Sequence, residues 1–351
     1  MYGGRLGVRC GGVPDGPLRY GRVDFGSGGF LPCLLGNGAC VFYWEKGLVL
    51  RKADLAIDFR RRQARAFISH AHTDHMARHE YALCTPATAA LYQLRLGKRP
   101  IRELPYRTPT WWGGLRLTTF PAGHCLGSAM LLAEDGQQTL LYTGDFKLAN
   151  SATAEPAELP QAEILVIEST YGDPAHRHPP RAEAIEQLCH LVAQILKRRR
   201  VPVVEAYALG KAQEVTRILA DAGFAVLQHP AAFQITQVYE AFGVAVGCGG
   251  CSAGLPAPGT VWVVPPRAGR HLGNGQVRIA VTGWAVDPTI RNRLGADFAV
   301  PLSDHADYDD LVEAVRQVQP RKVYCTHGPV CFVERLRHAG YDAEPLGRFS
   351  R

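Results

Sequence analysis

Within residues 68–79, Ile-Ser-His-Ala-His-Thr-Asp-His-Met-Ala-Arg-His, the side chains of His70, His72, Asp74 and His75 form an H-x-H-x-D-H cluster. The cluster directly follows an apolar run, Ala66 to Ile68, that reads as a buried strand. Imidazole nitrogen and carboxylate oxygen are the donor set that suits zinc or a similar divalent metal. Alternate residues of an extended segment point the same way, so His70 and His72 can converge on one ion. The Asp74-His75 pair, one step further round the turn, can face a second ion beside it. A solvated histidine-rich turn would need no such spacing.

Five later segments each place a polar residue at the end of an apolar run. They are Pro121-Ala-Gly-His124, Tyr142-Thr-Gly-Asp145, Glu168-Ser-Thr-Tyr-Gly172, Ser303-Asp-His305-Ala-Asp-Tyr308 and Thr326-His327-Gly328. A single histidine at a strand end is ordinarily a satisfied structural residue. Five such ends together, added to the cluster, are too many for coincidence and read as residues that a shared site collects.

The elements that must position them are legible as short apolar runs. Cys40 to Tyr43 and Leu48 to Ile57 look like paired strands, the second ending at Asp58. Pro86 to Leu96 has helical spacing with Pro at its start and Gly97 at its end. Leu115 to Phe120, Ala129 to Ala133 and Thr139 to Tyr142 read as strands, and Ile164 to Ile167 as a buried central one. After His176-Arg-His-Pro-Pro180 the pattern changes. A helix over about 181–199 leads into strands (201–204, 225–227, 261–264) alternating with helices (211–222, 231–242), a small parallel βαβ unit. From about Val277 the pattern is strand, helix and strand, ending at Lys322 to Cys325, which reads as a return to the first unit.

The chain has 351 residues, 46% hydrophobic and 20% charged, the composition of an ordinary globular protein. Its net charge of +7, from 39 Lys+Arg against 32 Asp+Glu, suits an anionic partner. No apolar stretch is long enough to span a membrane, and the Gly-rich first 30 residues lack a signal-peptide core. Ten cysteines scattered through apparent core elements read as reduced thiols, hence a cytoplasmic location. Cys248-Gly-Gly-Cys251 is the one C-x-x-C, and it lacks a second ligand pair for zinc.

The H-x-H-x-D-H cluster resembles that of the metallo-β-lactamase-fold superfamily. With Glu168, His305, His327 and the inserted unit, the set is similar to the β-CASP nucleases of that superfamily, over roughly Gly36 to Gly347. Ala206-Tyr-Ala-Leu-Gly-Lys-Ala-Gln213 and Leu302-Ser-Asp-His-Ala-Asp-Tyr308 resemble the bacterial ligase-associated DNA exonucleases, also described as mRNA 3′-end processing factor-like. The implied fold is α/β, a metallo-β-lactamase αββα sandwich with an inserted small βαβ cap. The domains expected are an N-terminal extension (1–30), a first sandwich part (31–178), the cap (179–276) and a completing part (277–351).

The resemblance implies that His70, His72 and His124 hold one divalent ion, that Asp74, His75 and His327 hold another, and that Asp145 bridges both. Zinc is the expected metal, with manganese compatible with the same donors. Asp58 matches a strand-ending Asp that orients the metal-binding loop. Two ions roughly 3.5–4 Å apart serve in-line phosphoryl displacement. Asp74 and Asp145 would join Glu168 and His305 as catalytic groups, His305 protonating the leaving oxygen and Glu168 holding it cationic or acting structurally. The implied function is a zinc-dependent DNA repair exonuclease working beside a ligase or helicase. An RNA-processing nuclease of the same branch is the alternative, favoured by a histidine at position 327. A small-molecule ester or thioester hydrolase and an inactive metal-bound scaffold are further readings.

Residues for contact with a nucleic acid are read from charge and aromatic patterning. Arg60, Arg61, Arg62 and Arg65 precede the cluster, and Lys98, Arg99, Arg102 and Arg107 surround a loop, where they could follow a phosphate backbone. Trp111 and Trp112 could stack on bases. Lys211, at a helix start, could meet a phosphate. The bland readings are a solvated basic face and ordinary aromatic packing. His79, His176, His178 and His229 carry no assignment.

Overall fold

A computed structural model describes residues 41–268 and 275–347. The Gly-rich extension and Cys40, where the first strand was expected to open, lie outside the described residues. The chain opens with a six-stranded sheet: β1 (Phe42–Trp44), β2 (Leu48–Leu50), β3 (Leu55–Ile57), β4 (Arg65–Phe67), β5 (Tyr81–Cys84) and β6 (Ile101–Glu103), with helix α1 (Pro86–Leu96) between the last two. Thr85 caps α1 by accepting the Thr88 amide, and Pro86 occupies the first turn, where its missing N–H is harmless.

The expected strand from Leu48 to Ile57 is two strands. The chain turns at residues 51–54, so Leu50 pairs with Leu55 in an antiparallel hairpin. No Gly or Pro marks that turn. It is carried instead by Asp54 in the left-handed region at φ 45°, which Asp tolerates better than most residues.

The second sheet begins with β7 (Thr110–Trp112), β8 (Leu115–Pro121), β9 (Ala129–Glu134), β10 (Thr139–Tyr142) and β11 (Ile164–Glu168). Period-two alternation decides which way each side chain faces. Leu140, Tyr142, Ile164 and Val166 pack against Leu50, Leu55, Phe67 and Leu83 of the first sheet. Leu141, Leu165 and Ile167 point to the opposite face.

The chain then leaves the sandwich through α2 (Arg181–Lys197) and forms a separate parallel sheet. Its strands are β12 (Val201–Glu205), β13 (Val226–Gln228), β14 (Val261–Val264), β15 (Gln276–Val281) and β16 (Phe298–Val300), in the order β13-β14-β12-β15-β16. Helices α3 (Lys211–Asp221), α4 (Pro230–Ala241) and α5 (Ile290–Leu294) connect them. The segment after Val277, read from sequence as the return to the sandwich, therefore belongs to this cap sheet. Val277, Ile279, Val281 and Val300 all lie in the cap's own core. A buried parallel strand reads as one apolar run in either sheet, so periodicity could not assign it.

The return comes later, through α6 (Tyr308–Val318), β17 (Lys322–Thr326), α7 (Val330–His338) and β18 (Ala343–Pro345). Strand β17 pairs in parallel with β11, setting Glu168 opposite Thr326. Helices α6 and α7 cover the outer face of the second sheet through Leu311, Val315, Phe332 and Leu336. Helix α1 covers the first sheet, where Leu91 and Tyr92 meet Ile68, together with Ile235 and Tyr239 of α4. The architecture is an αββα sandwich carrying an inserted α/β cap.

Gly328, just after β17, packs against the Ser169 carbonyl and hydroxyl so closely that a Cβ there would overlap them. Gly328→Ala is expected to destabilise the fold by about 1–3 kcal/mol, the usual range for overpacking a filled site. Urea denaturation of the variant and the parent measures it, and an unchanged midpoint refutes the packing argument.

Candidate metal centre

The strand ends converge at one edge of the sandwich, facing the cap. Parallel pairing of β3 with β4 (Ile57 opposite Phe67) brings Asp58 alongside Ser69, and the Asp58 amide donates to the Phe67 carbonyl. The Ala129 amide, at the start of β9, donates to the Ser69 carbonyl and joins the two sheets at this point. Asp58 and His327 both hold positive φ (51° and 59°) although neither is glycine. Such strained backbone persists where surrounding contacts over-determine it, and it concentrates at functional sites.

Three histidines meet at one point, and their outer hydrogen bonds define what each presents there. His72 Nε2 lies 3.1 Å from the Leu209 carbonyl, which can only accept, so Nε2 carries the proton and Nδ1 a lone pair. His124 Nδ1 lies 2.8 Å from the Asp304 carbonyl, leaving Nε2 unprotonated. The Ser69 hydroxyl donates to Asp58 Oδ2 at 2.6 Å, so His70 Nδ1, 2.9 Å from that hydroxyl, must donate to it. His70 Nε2 is then also a lone pair.

The three unprotonated nitrogens face one another. His72 Nδ1 is 3.0 Å from His70 Nε2 and 3.0 Å from His124 Nε2, with no proton available to either contact. One ligand atom from each ring and from Asp145 all fall within 4.8 Å of one another. Converging lone pairs with a carboxylate repel one another unless a cation lies among them, and imidazole nitrogen with carboxylate oxygen is a divalent-metal donor set. Burial holds the rings neutral, the form that ligates. It pushes the pKa of His70 and His72 down and brings that of His124 to about 3. The residues present fit a divalent metal ion.

Asp74, His75 and His327 form a looser neighbouring group. His75 Nδ1 donates to Asp58 Oδ2 at 2.9 Å, and its Nε2 lies 3.2 Å from Asp145 Oδ2 and 4.0 Å from Asp74 Oδ2. The His327 ring centre is 5.9 Å from that of His75. Asp74 and His327 are both exposed, so this group opens to solvent. Burial would strip the proton from His75, but Asp145 and Asp58 on either side outweigh it and raise its pKa well above the usual value. A cation entering here must displace that proton, so binding strengthens as pH rises.

The buried Glu168 pairs with the half-buried His305 beside the first group. His305 Nδ1 lies 3.0 Å from Glu168 Oε1, and Glu168 also accepts the Phe146 amide at 2.9 Å. Burial works against a charged His305. The Glu168 carboxylate prevails, with help from Asp145 and Asp304, and lifts the pKa to about 10.

The residues expected to touch a nucleic acid divide. Arg60 stands at the site's rim, where its Nε donates to the Asp74 carbonyl at 3.0 Å. Arg61 and Lys98 are exposed, and Arg62 is paired with Glu80. Trp111 is 70% exposed on the edge strand β7. Trp112 faces the other way, stacked on Tyr81 at 5.6 Å with Arg102 over its ring, so it is a packing residue. Lys211 is 1% exposed and paired with Asp304, so it is not placed to meet a phosphate.

Sequence reading missed the outer partners Ser69, Tyr142, Leu209 and Asp304. Ser69 and Asp304 sit beside recognised histidines, a local signal. The Leu209 carbonyl, 137 residues from His72, had none.

Residues 298–344 match a family described as the Zn-dependent metallo-hydrolase RNA specificity domain. The chain is 38% identical over 313 residues to a probable DNA ligase of Opitutus terrae, covering 87% of the chain and 31% of that protein. It is 28% identical over 319 residues to the 5′ exonuclease Apollo of Mus musculus, covering 79% and 54%. It is 37% identical over 121 residues to cleavage and polyadenylation specificity factor subunit 3 of Dictyostelium discoideum, covering 34% and 15%. The chain thus spans from about a seventh to about half the length of these relatives. These likenesses, with the αββα sandwich and the inserted α/β cap, support the metallo-β-lactamase-fold β-CASP family for this chain.

Proposed function

We propose that this chain is a zinc-dependent exonuclease that hydrolyses phosphodiester bonds of DNA, acting in repair alongside a ligase. The observation that carries the reading is the convergence of three imidazole lone pairs and Asp145 next to a cationic His305. The likeness of most of the chain to part of a protein named as a probable DNA ligase supports DNA and a ligase partner. The net charge of +7 favours an anionic polymer, and the exposed Arg61, Lys98 and Trp111 are proposed strand contacts, with Arg60 at the rim.

His70, His72 and His124 would hold one zinc ion, and Asp74, His75 and His327 a second, with Asp145 shared. Two such ions would supply Lewis acidity to the scissile phosphate and to the attacking water. The chain's own groups do the rest. Asp58 fixes the orientation of His75 directly and of His70 through Ser69. Glu168 keeps His305 protonated, and His305 delivers that proton to the leaving oxygen. The cap shields the site through the loop that ends at Leu209.

A second reading, RNA cleavage, is favoured by the family description matched over 298–344. End-labelled single-stranded DNA and matched RNA, incubated with zinc or manganese and with His70→Ala as control, separate the two. Mononucleotides released from DNA alone support the proposal. Preferential RNA cleavage moves the protein to RNA processing. Hydrolysis of a thioester with both polymers intact points to a small-molecule hydrolase.

Asp145→Asn is expected to lose one bound metal per chain by elemental analysis and to lower kcat roughly 100-fold or more, the scale on which one stabilising group is lost. Two metals retained with near-normal activity would sink the shared-ligand assignment.

His305 is protonated at neutral pH and loses its proton only on the alkaline side, so its loss should set the alkaline limb of the kcat profile. Glu168→Gln removes the charge that raises its pKa and should move this limb to lower pH. A limb that stays in place means that His305 is not the acid.

A further inference from the structure

Helix α3 begins where the cap meets the site, and its first turn carries two buried charges, Lys211 and Glu214. At i and i+3 they lie on one face of the helix. Lys211 is 1% exposed and Glu214 2% exposed, too deep to meet solvent or a large ligand. A charge at that depth persists only when matched by a partner and hydrogen bonds. Glu214 Oε1 accepts from Lys147 at 2.9 Å, Arg181 at 2.8 Å and Ser151 at 2.7 Å. Burial would raise its pKa, yet Lys147, Lys211 and Arg181 bring it down to about 2. Glu214 therefore holds the cap to the segment just after Asp145.

Lys211 does something different. Its Nζ donates to the Leu302 carbonyl at 2.8 Å and lies 3.2 Å from Asp304 Oδ1. Both acceptors belong to the turn that leads into His305. The backbone carbonyl of the same Asp304 takes the proton of His124 Nδ1 at 2.8 Å. That bond is what leaves His124 Nε2 unprotonated and aimed at His72.

We propose that Lys211 is a positioning residue for the metal centre. By clamping the 302–304 turn it holds the Asp304 carbonyl against His124, setting the ring's tautomer and direction, and it holds His305 against Glu168. A lysine from the cap thereby sets the geometry of a ligand on the sandwich. The activity readout rests on the nuclease reading, and the binding readout does not.

The test uses the full chain, with Lys211→Met to keep the length without the donors and Lys211→Arg to keep the charge. Cobalt(II) titration, followed by visible absorption, reads ligation by the histidine-rich group, and bis(p-nitrophenyl) phosphate gives kcat and KM. Lys211→Met is expected to bind cobalt roughly 10–100-fold more weakly, the usual effect of losing a ligand's outer partner. Its kcat should fall by a similar factor with KM little changed, and Lys211→Arg should recover part of both. Parental cobalt affinity in Lys211→Met, with or without lower thermal stability, overturns the proposal and leaves Lys211 a scaffold residue. Should Lys211→Met fail to fold, Asp304→Asn keeps the carbonyl but loosens the clamp. Weaker cobalt binding there supports the proposal, and parental affinity overturns it. In the double variant the two losses should not add, because they break one link. Because cobalt affinity needs no turnover, weakened binding without any phosphodiester hydrolysis would leave the proposal standing while the nuclease reading fails.

Discussion

The Asp58 carboxylate organises this site more than any ligand does. Its two oxygens accept from the Ser69 amide (2.7 Å), the Ser69 hydroxyl (2.6 Å), His75 Nδ1 (2.9 Å) and the Tyr142 hydroxyl (2.8 Å). A buried carboxylate is tolerable only when hydrogen-bonded in this way, and the same bonds constrain every group that makes them. Through Ser69 it sets the tautomer of His70. Directly, it accepts from His75 and, with Asp145, holds that ring protonated. Through Tyr142 it binds the end of the strand that leads to Asp145. One buried charge thus aligns parts of both ligand groups, and its strained backbone is consistent with a position that tertiary contacts over-determine.

The same logic recurs around the centre. In His70, His72 and His124 the inward nitrogen is left unprotonated because the ring's other nitrogen gives its proton to a fixed acceptor, a hydroxyl or one of two backbone carbonyls. Burial keeps these three rings neutral, and, against its own burial, the charged His75 holds the Asp145 carboxyl well below the usual range. The histidine-rich group is closed and tightly spaced. The group at Asp74 and His327 is open to solvent.

The cap does more than cover the site. The Leu209 carbonyl, on the loop after β12, holds His72, and Lys211 and Glu214 on the next helix turn grip the two segments that carry His305 and Asp145. Outer partners contributed by an inserted domain couple cap placement to ligand geometry. Among the described residues no helix is long and apolar enough to cross a membrane. Cys248 and Cys251 are free thiols.

What the sequence determined by itself was local. Residue type and spacing at 70–75, strand-end polar residues from His124 to His327, and the alternation of strands with helices after 200 need only a few neighbours to be recognised. Period two and period 3.6 are properties of a short segment. Tertiary structure decided the rest. Strand β15 could have joined either sheet, because a doubly covered strand carries no polar face to identify its neighbours. The turn at 51–54 formed without glycine because pairing of Leu50 with Leu55 buries both. Lys211 was read as a phosphate contact because a lysine at a helix start looks the same whether it faces solvent or Asp304. Trp112 looks like Trp111 until Tyr81 and Arg102 occupy its faces. The tautomers of the ligands depend on a carbonyl 137 residues away, and no local pattern encodes which backbone atom will be there.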